Sequence, residues 1–191
     1  MSVDALRKQR DRLWARIAES VDGALGFLPF WKPQPEPDSS VGAGCLSQFW
    51  PAPFTVDGTT FRSAEHFMMW RKATLFADPD TARRILAAED PATAQALGRQ
   101  VRGFTEPTWT ATRFPVVVDG NLAKFGAHPA LRDFLLDTGD LVLVEASPVD
   151  RVWGAGLAAD HPDITVPGRW RGQNLLGFAL MEVRDRLRDG G

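Results

Sequence analysis

Helix start signals recur along residues 63–98, and they leave little room there for anything but short helices. Ser63 can cap a helix that begins at Ala64, because a serine hydroxyl accepts a hydrogen bond from a first-turn amide. Asp78–Pro79 and Pro91 mark two further starts, since proline is tolerated best in the first turn of a helix. The pattern therefore predicts helices over 64–75, over "PDTARRILAAE" from residue 79, and over 91–98.

The chain after residue 110 has a different texture. The runs "FPVVVDG" (114–120) and "LVLVEAS" (141–147) are short and rich in β-branched or apolar residues, which is typical of strands. The segment "HPALRDFLLDTGD" predicts a helix that ends at Gly139, and apolar spacing predicts a last helix over about 173–188. Many helices with few strands indicate the α+β class, as a single compact, mostly helical domain with a small β-sheet.

The length of 191 residues fits one domain with a sizeable core. Residues 3–20 carry an apolar stripe at helical spacing, but the stripe is too thin for a helix that is stable without the rest of the domain. We therefore predict an N-terminal helical extension over 1–23 and the functional domain over 24–191. The start lacks the apolar core of a signal peptide, and no segment approaches the roughly 18 apolar residues of a membrane span, which predicts a cytoplasmic protein without membrane contact.

Charge and side-chain chemistry exclude several function classes. A formal net charge of −2 argues against a protein that coats nucleic acid through a diffuse basic surface. The single cysteine, Cys45, permits no intramolecular disulfide and fits a reducing compartment. The three histidines lie far apart in sequence, so we predict a mechanism without metal or other cofactor.

The stretch "FRSAEHFMMWRKA" (61–73) concentrates ionisable groups among apolar residues. On a helix, Glu65 and Lys72 are two turns apart and project from the same face, so they can flank one ligand as an acid/base and an amine. The alternative is that Glu65 only favours the helix dipole and Lys72 is a solvated surface residue. Spacing alone leaves both interpretations open, and His66 is better explained as a structural histidine.

Five segments together carry a resemblance to a known family. They are "DGTTFRSAEHFMMWRKATLF", "LGRQV", "KFGAHPALRDFLLDTGD", "LVEASPVDRVWGAGL" and "RWRGQNLLGFALMEVRDRL". In this order they resemble the NADAR (YbiA-like) family over about residues 27–188. The resemblance implies that family's fold and an N-glycosidase, which cleaves the bond between a ribose and an exocyclic or aryl amine. Activities in the family include hydrolysis of riboflavin-pathway phosphoribosylamines and removal of ADP-ribose from guanine.

The resemblance also implies roles for individual residues. The family's catalytic glutamate falls on Glu65 and its motif lysine on Lys72. The tryptophan of the family's pocket falls on Trp109. The Asp-Arg-x-Trp-Gly element of the family falls on Asp150, Arg151, Trp153 and Gly154. Many members read Leu-Ser-Asn-Phe where this chain has Leu46–Ser47–Gln48–Phe49, so a contact made by that amide needs a longer side chain here.

Phosphate groups of such a substrate need cationic or amide donors. Arg99 in "LGRQV" and Arg171 in "RWRGQN" can supply a guanidinium, and Asn174 stands where amides at the start of the last helix can donate. Any single arginine is also a common solvated surface residue. For Lys124, beside Phe125, substrate binding and ordinary packing are equally open.

In the predicted reaction, Glu65 is the proton shuttle and Lys72 is a nucleophile that can form a Schiff base with the sugar. Asp150 is a possible second carboxylate. The predicted partner is a small ribosylamine phosphate or an ADP-ribosylated guanine nucleotide, without strong binding to unmodified nucleic acid. A non-catalytic module that binds ADP-ribose or a related nucleotide is the alternative, because the same pocket could serve it without turnover.

Overall fold

The computed structural model describes residue 15, residues 26–38 and residues 40–190. The predicted helix over 3–20 falls outside these residues except at residue 15, and the predicted extension over 1–23 stays a prediction. Two compact units divide the chain: the first runs to Ser47 and resumes at Ala130, and the second is Gln48–Pro129.

The second unit begins with a β-hairpin that packs on a central helix. Strands β2 (Phe54–Val56) and β3 (Thr59–Phe61) pair antiparallel across the turn at Asp57–Gly58. Both turn residues have positive φ, 48° and 77°, which matches the right-handed twist of a two-residue hairpin. Rings from the hairpin then contact helix α1 (Ala64–Leu75): the centroid of Phe61 lies 5.1 Å from Phe67.

Helix α1 is the centre of this unit. It begins where the sequence predicts, because the Ser63 hydroxyl accepts a hydrogen bond from the amide of His66. Its residues from Ala64 to Met69 are all buried, since it packs against β3 and three other helices. These helices are α2 (Pro79–Ala87), α3 (Pro91–Gly98) and α4 (Glu106–Ala127).

The prediction of a strand over "FPVVVDG" was wrong, because these residues lie inside α4. Val116, Val117 and Val118 are buried one after another. A short, continuously buried apolar run has no two-residue alternation, so its pattern does not distinguish a strand from a helix enclosed by neighbours. Pro115, which removes one helical amide, sits within α4 without ending it.

Two Asp-Pro-x-Thr sequences cap α2 and α3, and they differ in one respect. Asp78 accepts hydrogen bonds from the amide and hydroxyl of Thr81, and Asp90 does the same with Thr93. Asp78 is also buried and accepts from the amide and guanidinium of Arg102, at 2.9 and 2.7 Å. The side-chain hydrogen bond from Arg102 is the main reason why the pKa of Asp78 lies well below its usual range.

We expect Asp78→Ala to lower the midpoint of thermal unfolding at pH 7 by roughly twice as much as Asp90→Ala or more, because it also removes the acceptor for Arg102. A lowered pKa means that the stabilisation by Asp78 is fully present above about pH 4 and is lost as the pH falls further. The two variants should therefore differ less at pH 3 than at pH 7. Equal losses at pH 7 would contradict the added role of Arg102.

The first unit is built on a short parallel sheet. Strand β1 (Phe27–Phe30) pairs with β4 (Val142–Glu145) in register Phe27 to Val142. All four residues of β4 are buried, and helix α6 (Leu175–Asp189) packs on this strand. Helix α5 (Pro129–Asp137) precedes β4, and Gly139, with a φ of 56°, lies in the turn that follows it.

The described residues contain six α-helices and four strands in two separate two-stranded sheets. The α+β class is confirmed, and the strand predicted in "LVLVEAS" is present as β4. The hairpin strands and β1 were not predicted. Among the described residues, no helix is both long enough and apolar enough to cross a membrane.

Candidate active site

Helix α1 holds Glu65 and Lys72 on one face of the second unit. The residues are seven positions apart, which is two helical turns or about 10 Å along the axis. A long side chain on a helix leans toward the helix N-terminus, so the amine of Lys72 extends back along the face that carries Glu65. The charge of Glu65 is one of the influences that act on the pKa of Lys72. The two groups can therefore act on one ligand.

Glu65 is a buried carboxylate in the first turn of α1. Its residue is only 2 % exposed, and its backbone amide donates to the carbonyl of Gln48 at 3.0 Å. This bond satisfies one of the amides that a helix leaves open at its start. Glu65 is thus not a solvated surface carboxylate, although its first-turn position also suits the helix dipole.

Lys72 lies in a partly buried pocket of aromatic rings and a carbonyl. Its Nζ donates to the carbonyl of Gly98 at 2.8 Å and lies 4.3 Å from the ring centroid of Phe104 and 5.9 Å from that of Trp109. Burial is the main cause that lowers the pKa of Lys72, although the nearby carboxylate of Glu106 opposes it. More of this amine is neutral near pH 7 than in an ordinary lysine, as a nucleophile requires.

Gly98 lets helix α3 end against α1 at the position of Lys72. A β-carbon at Gly98 would collide with the side chain of Met69, one turn before Lys72 on α1. The absence of a side chain thus brings the carbonyl of Gly98 within reach of the amine. The orientation of Lys72 depends on this close approach between two helices.

Three other predicted site residues also lie in the second unit. Trp109 is buried, and its ring faces the amine of Lys72. Arg99 is exposed, donates to the side chain of Gln95 at 2.9 Å, and contributes to the lowered pKa of Lys72. Lys124 is fully buried, with its Nζ 4.9 Å from the ring centroid of Phe125. The structure thus brings Trp109 and Arg99 toward Lys72.

His66 has the surroundings of a structural histidine, as the sequence indicates. Its Nε2 lies 3.2 Å from the carbonyl of Ala88, which can only accept, so Nε2 carries the proton. Its Nδ1 then accepts from the hydroxyl of Ser63 at 2.8 Å. Burial lowers the pKa of His66, which keeps this neutral form. Its ring therefore ties the start of α1 to the residue that follows α2.

The predicted residues of the first unit lie on two loop segments that bond to each other. Asp150 shapes the first segment: its Oδ1 accepts from the amides of Val152 and Trp153, both at 2.8 Å. Because one carboxylate oxygen accepts from both amides, the chain makes a tight turn from Asp150 to Trp153. The side chain of Trp153 is half-buried. The second carboxylate role of Asp150 stays a prediction.

Gly154 allows the close contact between these loop segments. Its carbonyl accepts from the amide of Asn174 at 3.0 Å, and the carbonyl of Ala155 accepts from the amide of Arg171 at 2.9 Å. A β-carbon at Gly154 would lie 2.8 Å from the carbonyl of Asp150, which is too close. The side chains of Arg151 and Arg171 are exposed on these segments, where either could meet an anion.

The side chain of Asn174 forms hydrogen bonds with the backbone of β4. The residue is fully buried in the left-handed conformation, with φ 49°. Its Oδ1 accepts from the amide of Glu145, and its Nδ2 donates to the carbonyl of Leu143, both at 2.9 Å. This side chain holds the start of α6 against β4, and its substrate-binding role stays a prediction.

Comparison with known proteins identifies the family of this fold. The sequence profile of the NADAR domain matches residues 29–188. The chain belongs to the NADAR domain family. The match runs through both units and confirms the resemblance that the five sequence segments predict.

Named relatives of this NADAR chain include several glycosidases. An N-glycosidase of Acanthamoeba polyphaga mimivirus is 38 % identical over 77 % of this chain and 89 % of its own. The N-glycosidase YbiA of Escherichia coli is 32 % identical over 75 % and 81 %. A riboflavin biosynthesis protein of Vibrio vulnificus is 34 % identical over 81 % of this chain and 38 % of its own. These relatives confirm the prediction of an N-glycosidase enzyme class.

A solved structure supports the fold of this NADAR chain. The NMR structure of E. coli YbiA aligns with a TM-score of 0.69 and 28 % identity, and the alignment covers 86 % of each chain. The α+β, YbiA-like fold predicted from the sequence is therefore confirmed. The roles of single residues within it stay predictions.

Sequence reasoning missed residues that contact Lys72 and a residue that contacts Gln48. Gly98, which accepts from the amine, was read only as the end of a helix, and Phe104 was not singled out. Asn121, which contacts Gln48, was not singled out either. A glycine at a helix end carries no sequence signal that its carbonyl binds a particular side chain, so only the packing of α3 on α1 reveals it.

Proposed function

We propose that this protein hydrolyses the N-glycosidic bond of a ribosylated amine, with Glu65 as the acid/base and Lys72 as a Schiff-base nucleophile. One observation carries the proposal: a buried carboxylate and an amine of lowered pKa share one face of α1 beside an aromatic wall. A surface salt bridge would need neither the burial nor the aromatic rings. An acid/base and a nucleophile make use of burial, because burial tunes their proton affinity.

The chemistry begins with the substrate's own nitrogen. In a ribosylamine, the lone pair of the exocyclic nitrogen can expel the ring oxygen from C1, which leaves an iminium at C1, and protonated Glu65 gives its proton to that oxygen. The neutral amine of Lys72 adds to C1, and Glu65, now ionised, moves a proton from Nζ to the departing nitrogen as the C1–N bond breaks. An iminium between C1 and Nζ remains. Addition of water then releases the sugar as its aldehyde and regenerates Lys72.

Contacts around Lys72 suit this sequence of steps. The bond to the carbonyl of Gly98 fixes one N–H of the amine, which orients its lone pair when the amine is neutral. Phe104 and Trp109 present ring faces to the cationic states that form on the way, because aromatic faces attract cations. The same faces can wall the sugar or stack on the base.

Two substrate classes fit the proposal: phosphoribosylamine intermediates of the riboflavin pathway and ADP-ribosylated guanine. The Vibrio vulnificus relative is named for riboflavin biosynthesis, which supports the first class. Both classes carry phosphate, and the exposed guanidinium of Arg99, close enough to affect Lys72, can bind it. Lys124, Arg151 and Arg171 remain further candidates for substrate contacts.

The test is a substrate panel followed by mass spectrometry. We expect the purified protein to release free base from at least one ribosylamine phosphate or from ADP-ribosylated guanine. An unmodified DNA duplex, probed by anisotropy, should bind weakly, since the net charge is −2 and phosphate affinity of a duplex comes from many cations.

The outcomes separate the alternatives. Tight binding of ADP-ribose with no base released from any panel member would favour the non-catalytic binding module. Tight, salt-sensitive binding to the unmodified duplex would move the protein to the nucleic-acid binders and contradict the proposal.

A further inference from the structure

A buried pair of amides lies beside the start of α1 in the second unit. The Nδ2 of Asn121, on α4, donates to the Oε1 of Gln48 at 2.9 Å and to the carbonyl of Val117 at 2.8 Å. Gln48 is only 7 % exposed and Asn121 is fully buried. Among the described residues, the Nε2 of Gln48 and the Oδ1 of Asn121 have no hydrogen-bond partner.

The orientation of both amides follows from the carbonyl of Val117. A carbonyl can only accept, so the nitrogen of Asn121 must face it, and its oxygen must face the other way. Because that same nitrogen also donates to Gln48, the oxygen of Gln48 must point toward Asn121. Reversing either amide would set two acceptors or two donors against each other. A donor on Gln48 and an acceptor on Asn121 are therefore both left over.

Leaving a buried donor and a buried acceptor unsatisfied costs free energy that a protein core normally avoids. The position of this pair suggests what satisfies it. The backbone carbonyl of Gln48 accepts from the amide of Glu65, so the pair is anchored at the first turn that presents the proposed acid/base. A group on the reacting sugar that both accepts and donates a hydrogen bond would satisfy the free donor of Gln48 and the free acceptor of Asn121.

We propose that Gln48 and Asn121 form a specificity-determining pair that binds a ring hydroxyl of the substrate's ribose. The hydroxyl accepts from the Nε2 of Gln48 and donates to the Oδ1 of Asn121. This inference rests on the proposed function, since it takes the ribosylamine as substrate. Ribose hydroxyls suit the pair because each is donor and acceptor at once, whereas a phosphate oxygen only accepts.

The experiment compares sugars and enzymes at the same time. We would measure kcat/KM for a ribosylamine and for its 2-deoxy and 3-deoxy analogues, in the wild type and in Gln48→Met. Intrinsic reactivity of each sugar is the same for every enzyme, so it cancels when the ribose-to-deoxy ratios are compared between enzymes. For one of the two analogues, the ratio of kcat/KM for the ribosylamine to kcat/KM for the analogue should be about 10-fold or more larger in the wild type than in Gln48→Met.

Two further variants keep the test sharp. Gln48→Asn retains an amide but withdraws it by one methylene, so its ratio should fall between those of the wild type and Gln48→Met. If Gln48→Met does not fold, the ratio in Gln48→Asn is compared with that of the wild type instead. Gln100→Met makes the same replacement at an exposed glutamine of this unit and should keep the wild-type ratio.

An unchanged ratio in the folded Gln48 variants would overturn the inference and assign the pair to an ordered water. A structural role alone would lower kcat/KM equally for all three sugars and leave the ratio unchanged. If the wild type hydrolyses no ribosylamine, the proposed function fails first, so the two failures are distinguishable.

Discussion

Glu65→Gln should lower kcat by about 10²-fold or more while the protein stays folded. The replacement keeps the size of the side chain and most of its hydrogen-bonding capacity, but it removes the group that we propose moves a proton to the departing nitrogen. Glu65 is buried in the first turn of α1, and the amide that anchors this residue to Gln48 belongs to the backbone. Turnover of the panel substrate and the thermal unfolding midpoint are the two measurements.

Glu182→Gln is the matched control for this variant. Glu182 is also buried, at 3 % exposure against 2 % for Glu65, and it lies on α6, where it accepts from Arg186 at 2.7 Å. This control should lose stability through the broken ion pair and keep its turnover. Near-wild-type turnover in folded Glu65→Gln would remove Glu65 from the mechanism.

Local signals predicted the helix starts of the second unit because their causes are local. Ser63, Asp78 and Asp90 each bond to an amide three residues ahead, so a few neighbouring letters contain the whole interaction. The turn at Asp57–Gly58 also has a local cause, because glycine suits the positive φ at its second position.

Features made by distant contacts could not be predicted in this way. Strand β1 pairs with β4, which is distant in sequence, and no feature of the four residues of β1 indicates that partner. The valines at 116–118 have high strand propensity, yet enclosure by neighbouring elements makes a helix acceptable there. Tertiary burial outweighed local preference in that segment.

The candidate site shows the same division. Glu65 and Lys72 belong to one helix, so their common face follows from helical geometry alone. Gly98 and Phe104 reach Lys72 from other segments, and the unsatisfied amide of Gln48 is defined by the orientation of Asn121. The two proposed reactive groups could therefore be predicted from the sequence, whereas the contacts that tune and orient them could not.

Lys72 should form a covalent adduct with the sugar when borohydride is present during turnover. Reduction of the iminium between C1 and Nζ gives a secondary amine that water cannot cleave, so the enzyme is inactivated with the sugar attached. Peptide mapping by mass spectrometry should place the adduct on Lys72. Lys72→Arg should show no adduct and a loss in kcat of about 10³-fold or more, because a guanidinium keeps the charge but is never neutral in a protein.

The pH dependence provides a second, independent reading of the same residue. In the proposed mechanism only the neutral amine attacks C1, so kcat/KM should rise with pH through the pKa of Lys72. Burial lowers this pKa, so the rise should come below the pH expected for an ordinary lysine. Lys32 is the internal control for trapping: its Nζ also lies over an aromatic ring, 5.0 Å from the centroid of Trp31, but it is exposed. An adduct on Lys32 as abundant as on Lys72 would indicate non-specific labelling. Hydrolysis that proceeds under borohydride with no adduct would contradict the Schiff base and leave Lys72 an electrostatic role, in which its ammonium stabilises the departing group from beside Phe104 and Trp109.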